Sequence, residues 1–150
     1  MPIDSRLAAA LLLAACAALA SPDSAVLEFR STFSDEPLDI SPAEGDTLTE
    51  AVRQFHKTAK NAYRGEAEAI ERGSTIFLER CAICHGIKAN GRMGPSLIDD
   101  AYLYSKNNSD KGIFETIYGG AAAAMVPLRG TLSQDDILKV MAYLASLRKQ

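Results

Sequence analysis

Two cysteines and a histidine stand within five consecutive residues, Cys81-Ala82-Ile83-Cys84-His85. Thiols three positions apart at a helix end can each form a thioether with a vinyl group of one haem. The imidazole that follows directly is then held under the iron as its proximal ligand. A structural zinc site needs four ligands, and the chain has no second cysteine pair to supply them. A thioredoxin-like dithiol sits in a βαβ pattern, and none is visible around this motif. The spacing therefore predicts one covalently bound haem c, tethered at Cys81 and Cys84, with His85 as an iron ligand.

An iron held by His85 on one side raises the question of its other side. A thioether there stabilises Fe(II) and raises the potential, as electron carriers require. Four methionines are present. Met1 is lost with the leader. Met93 is eight residues past His85, so its loop is expected to stay on the proximal side. Met141 falls on the apolar face of a helix and reads as core. Met125 follows a glycine-alanine run that lets backbone lie near a haem, and Pro127 fixes the chain behind it, so Met125 is the expected sixth ligand. His56 is the competing ligand and reads instead as a surface histidine. A ligating imidazole usually donates its other N–H to a carbonyl. In Gly94-Pro95-Ser96-Leu97, Pro95 is placed to accept it and Leu97 to pack on the haem face.

These residues must be carried by helices. From Glu66 to Cys81 the pattern predicts the helix that delivers the motif, with Ile70, Gly73 and Phe77 on one stripe. A mid-helix glycine costs about 1 kcal/mol relative to alanine, and close approach of another helix at Gly73 would explain it. The expected neighbour runs from Gln134 to Arg148. Its cap pair is Ser133 and Asp136, its stripe is Ile137, Val140, Met141, Leu144 and Leu147, and Tyr143 lies toward Gly73 and Phe77. A shorter helix is predicted over Lys111 to Tyr118, stopped by Gly119-Gly120. Another spans Thr47 to Asn61, with Thr47 and Glu50 at capping-box spacing. Residues 21–46, with Pro22, Pro37 and Pro42, read as irregular, and Val26 to Phe29 as an extended stretch or an arm over the domain.

The whole chain has 150 residues, 47% hydrophobic and 23% charged, with a net charge of −3. That fits a globular domain, and the lack of a basic cluster argues against a nucleic-acid partner. Arg6, the apolar run Leu7–Ala20 and the Ala18-Leu19-Ala20 site before Ser21 predict a signal peptide over 1–20, as expected for a periplasmic protein. Leu13-Ala14-Ala15-Cys16 also has the form of a lipobox, so a membrane attachment is expected only if Cys16 is lipidated. The predicted organisation is a leader at 1–20, an N-terminal extension with one helix at 21–65, and a haem domain at 66–150.

The motif, followed by Gly-Pro-x-Leu and then by Met125 before a proline, resembles class I cytochrome c, an all-α fold. The resemblance to the cytochrome c-L family is closer. It is carried by Phe29-Arg30-Ser31-Thr32, Pro37-Leu38-Asp39, Asp46 through Tyr63, Gly91 to Pro95, Thr116 to Ala121, and Leu138 to Tyr143. It covers about residues 28–147. The resemblance implies a class I cytochrome c fold with an N-terminal extension. It also implies axial ligation by His85 and Met125 and a non-enzymatic role. That role is carrying single electrons from a PQQ-dependent methanol or alcohol dehydrogenase to a downstream cytochrome c or terminal oxidase. The family usually carries Trp-Thr-Tyr-Pro where Leu103 to Lys106 stands, and Trp where Tyr143 stands; this chain has no Trp. Calcium and lanthanide dehydrogenases therefore both stay open as partners. So do a haem sensor or enzyme with a labile sixth ligand, and a carrier for an unrelated dehydrogenase. The exposed haem edge is expected near Ala82, Ile83 and Met125, ringed by Asp99, Asp100 and Asp110.

Overall fold

The computed structural model describes residues 27–42, 48–99, 101–122 and 124–148. The predicted leader, Cys16, Thr47 and Asp100 lie outside them. Among the described residues the regular structure is helical: α1 Glu50–Thr58, α2 Ala67–Arg80, α3 Ala82–His85, α4 Asp110–Gly119 and α5 Gln134–Leu147, with a 3-10 turn at Ser105–Asn108. Pairing of β type is confined to two isolated bridges, Arg30–Pro37 and Arg129–Leu132. No helix here is long and apolar enough to cross a membrane.

The last helix is capped as its sequence predicts, the Ser133 hydroxyl accepting the Asp136 N–H at 3.0 Å. Asp135 and Asp136 occupy its first turn, where the helix dipole favours negative charge. Its apolar stripe buries Ile137, Val140, Met141 and Leu144, and α2 crosses it at Gly73. A methyl carbon added to Gly73 would meet the Lys139 carbonyl carbon at 2.5 Å and its oxygen closer still. The missing side chain is thus what lets the two backbones touch. One turn on, the Phe77 and Tyr143 rings pack 5.5 Å apart, and Arg72 pairs with Asp136 at 3.5 Å. On α2 the buried positions are Ala69, Gly73, Ile76 and Phe77; Ile70 is only half-buried.

The first helix begins later than the capping box suggested. Its cap is Thr49, whose hydroxyl accepts the Val52 N–H and donates to Asp135 at 2.6 Å. The short α4 starts at the Ser109 cap and ends at Gly120. Phe55, Phe114 and Phe29 form an aromatic triangle with centroids 5.0 to 5.7 Å apart. Each such pair adds roughly 0.5–1.5 kcal/mol beyond its burial.

Phe29 belongs to residues 27–42, which lie across α4 as an arm. The arm is fastened by Glu115, a carboxylate only 1% exposed. Glu115 accepts the Arg30 N–H at 2.7 Å and pairs with Lys106 at 2.7 Å and Lys111 at 2.5 Å. Lys106 also donates to the Arg30 carbonyl. A buried charge is tolerable only with such a full set of partners. Farther along, Tyr118 donates to the Asp39 carbonyl and Gln134 to the Ile40 carbonyl.

Candidate haem-binding site

The motif follows directly from α2. Cys81 closes that helix, its N–H bonded to the Phe77 carbonyl at 2.8 Å, and the single turn α3 carries Cys84 and His85. The chain then folds back beneath the imidazole. Gly91 N–H bonds the His85 carbonyl, and Gly94 N–H bonds the Cys84 carbonyl, both at 2.8 Å. This return lays Gly94 against the ring, where an added methyl carbon would sit 2.8 Å from Cε1. His85 Nδ1 lies 2.9 Å from the Pro95 carbonyl. Because a carbonyl only accepts, Nδ1 carries the proton, and Nε2 keeps the lone pair that a metal needs.

Cys81, His85, Leu97 and Met125 line one cleft, with Phe77, Ile117, Leu128, Val140 and Leu144 among the apolar side chains that complete it. Met125 reaches it from a loop pinned to α4, since Leu128 N–H bonds the Ile117 carbonyl and Arg129 N–H the Tyr118 carbonyl, each at 3.2 Å. A wider groove beside Tyr63, Glu66, Arg72 and Lys139 holds none of the motif residues, so the cleft is the candidate site. Burial, and secondarily the neighbouring Cys84, push the Cys81 thiol up to about 11. Among the described residues no group of three or more His, Cys, Asp or Glu is placed to bind an ion. Cys81 and His85 on the apolar cleft, with Cys84 half-buried beside them but not on the cleft lining, fit a tethered haem.

The other candidates sort by position. Met93 is 74% exposed and Met141 is buried in the core. His56 is not the surface histidine expected. It is half-buried, 2.6 Å from Gln134 Oε1 and edge-on to Phe29. At the expected edge, Ile83 is exposed and Met125 half-buried, but Ala82 is buried. The acidic ring also needs correcting. Asp110 is spent inside the protein, paired with Arg64 and accepting the Asn61 N–H. The charge beside Ile83 is basic, because the Arg92 guanidinium donates to the Ile83 carbonyl. Sequence reasoning missed four polar lining residues, Tyr102, Asn107, Thr116 and Arg148. Their only sequence signal is polarity in segments that also read as surface.

The chain is similar to several known proteins. A family model described as cytochrome c oxidase, cbb3-type, subunit III matches residues 68–144. Cytochrome c-L of Methylorubrum extorquens is 37% identical over 134 residues, covering 87% of this chain and 68% of that protein. The crystal structure of cytochrome cL from the marine methylotrophic bacterium Methylophaga aminisulfidivorans matches with a TM-score of 0.78 and 46% identity over 80% of each chain. That of cytochrome cL from Hyphomicrobium denitrificans matches at 0.73 and 40%, over 80% of this chain and 73% of that one. The cbb3-type oxidase subunit CcoP of Azospirillum brasilense is 35% identical over 98 residues, and the match spans 32% of its length.

Proposed function

The chain belongs to the cytochrome c-L family of class I c-type cytochromes, monohaem proteins of electron transfer, and on that premise we propose that it works in the periplasm, taking single electrons from a PQQ-dependent methanol or alcohol dehydrogenase. It passes them to a downstream cytochrome c or terminal oxidase. The observation that carries this reading is the His85 imidazole, aimed by the Pro95 carbonyl into the apolar cleft that Met125 also lines. When bound, haem c supplies a one-electron couple and needs no proton or substrate site.

The chain's own residues have separate tasks in this reading. Cys81 and Cys84 tether the haem. His85 and Met125 are the axial ligands, and the thioether of Met125 favours the reduced iron. Pro95 fixes the tautomer and direction of His85, while Leu97 and its apolar neighbours keep water from the iron. Residues 66–150 form the haem domain, residues 21–65 an N-terminal extension with one helix, and residues 1–20 an export leader. Exposed Ile83, next to Cys84, marks where a partner approaches.

Stopped-flow mixing of the oxidised protein with a reduced PQQ-dependent alcohol dehydrogenase tests the partner. Fast reduction, slowed by Ile83→Lys without a spectral change, is expected; no reduction by any such dehydrogenase refutes it. Met125→Ala tests the ligand. It should abolish the Met-to-Fe(III) charge-transfer band and lower the potential. Survival of the band in that variant refutes the assignment.

A further inference from the structure

The loop that carries Met125 has little of its own to hold its shape. It leaves α4 at Gly120, which has a positive φ of +78°. A methyl carbon added there would lie 2.8 Å from both the Met125 carbonyl oxygen and the Pro127 nitrogen. The two ends of the loop therefore touch at a neck, and the Ala121 N–H closes it by bonding the Met125 carbonyl at 3.0 Å. Beyond the neck the sequence is Ala122-Ala123-Ala124. Ala122 and Ala124 are exposed, and a methyl side chain in water offers little apolar burial and no hydrogen bond. A tie that keeps the loop on the cleft has to come from another segment.

Tyr104 supplies one. The Ala122 N–H donates to its hydroxyl at 3.2 Å. The tyrosine itself stands on a fixed support. Its carbonyl accepts the Asn107 N–H at 3.0 Å, at the start of the 3-10 turn Ser105–Asn108. That turn lies directly against α4 at Gly112, where an added methyl carbon would overlap the Lys106 carbonyl and stand 3.0 Å from the Asn107 nitrogen. Lys106, within the turn, is paired with the buried Glu115 and donates to the Arg30 carbonyl of the arm. Asn107 of the turn and Thr116 of α4 both line the cleft, and Met125 lines it from the loop. One hydroxyl thus bridges the fixed wall and the segment that carries the thioether.

We propose that the Tyr104 hydroxyl holds the Met125 loop closed, and that it sets how often the sixth position of the iron opens to an outside ligand. This inference rests on the reading of Met125 as an axial ligand. An outside base reaches the iron only when the thioether leaves and the loop moves with it. Each tie on the loop makes that excursion rarer. One hydrogen bond of ordinary net strength changes the closed-to-open ratio by roughly two- to tenfold. Tyr104 is a positioning residue, since it acts through the backbone of the loop and does not touch the iron. A carrier benefits, because a base bound in place of Met125 would remove the thioether that favours the reduced iron.

The test mixes the ferric, haem-loaded protein with imidazole and follows loss of the Met-to-Fe(III) charge-transfer band. At high imidazole the rate reaches a plateau set by opening of the loop. Tyr104→Phe keeps the ring and removes only the hydroxyl. Its plateau should rise roughly two- to tenfold above the wild type, with the resting spectrum intact. Tyr63→Phe is the control. It removes a hydroxyl bonded to Asp135 and should leave the plateau at the wild-type value. An unchanged plateau in Tyr104→Phe, or an equal rise in Tyr63→Phe, overturns the proposal, because general loosening of the fold predicts that the two variants behave alike. Should Tyr104→Phe fail to take up haem, amide hydrogen exchange at Ala122 of the wild type decides. That N–H should exchange more slowly than in an unstructured peptide, and exchange at the peptide rate overturns the proposal. The two readings fail separately: a wild type without the charge-transfer band removes Met125 as the ligand, whereas a normal band with an unmoved plateau in Tyr104→Phe removes only the role of Tyr104.

Discussion

Replacing Gly73 by alanine sets two effects of known size against each other. In an isolated helix alanine is favoured over glycine by about 1 kcal/mol. Here the added methyl would stand 2.5 Å from the Lys139 carbonyl carbon and 3.0 Å from the Val140 nitrogen, where ordinary contact begins at 3.4 Å. The obstacle is backbone, so no rotamer change relieves it, and the two helices must separate by roughly 1 Å. A gap of about that size forfeits a quarter to a half of each affected dispersion contact. Those contacts include Phe77 on Tyr143 and the layer of Ile76, Val140 and Leu144. Overpacking of this kind costs about 3 kcal/mol, at the upper end of its usual range, because backbone cannot yield. Subtracting the propensity gain leaves a net loss of about 2 kcal/mol. For a chain of this size that corresponds to a fall in Tm of roughly 4–8 °C. Thermal unfolding of the haem-loaded protein, followed by far-ultraviolet circular dichroism, measures it. Gly65→Ala is the control, a glycine with nothing within 4 Å but a left-handed φ of +86°, which should cost about 1–2 kcal/mol from strain alone. An unchanged or higher Tm in Gly73→Ala would refute the crossing argument.

Two further outcomes follow from the site and the α5 terminus. Gly94→Ala should push the His85 ring off its Pro95 acceptor, seen as a changed haem absorption spectrum and reduced haem incorporation; a wild-type spectrum at full loading would contradict the close contact. Burial alone would raise the Asp135 carboxyl, but hydrogen bonds from Lys139, Thr49 and Tyr63 override it and hold the group below the ordinary carboxylate range. A lowered folded pKa contributes stability that is complete above the unfolded value near ~4 and is lost as pH falls through the folded one. Asp135→Asn should therefore flatten the acid limb of a plot of Tm against pH, and a limb parallel to the wild type's would show that another group governs it.

What could be read from the sequence was what short-range chemistry determines. The motif, the Ser133 cap, the apolar stripe of α5 and the glycine stop after α4 are each decided within one or two helical turns. Gly73 was legible for a different reason: a helix that accepts the cost of a glycine needs a close neighbour, and the stripe of α5 made it the best partner. The Thr49 cap was missed because two threonines stand within reach of the same helix start. What selects Thr49 is Asp135, 86 residues away, which binds its hydroxyl. The partners of His56 and Asp110 were hidden for the same reason, as Gln134 and Arg64 come from other parts of the chain. Arg148 stood only as the end of the predicted last helix, and folding brings it to Leu97, Tyr102 and the cleft.

The fastening of the arm has a consequence for the order of events during maturation. Arg30 leaves the ribosome early, yet the carboxylate that receives it, Glu115, follows 85 residues later. A chain delivered N-terminus first must hold Phe29 unburied until α4 has emerged. Closing so long a loop adds little to the equilibrium cost, which rises only with the logarithm of length, but it makes the contact late. The bond that orients His85 spans ten residues and waits for nothing beyond Pro95. The turn around His85 can thus close while the flank is still open, well before the arm docks on α4.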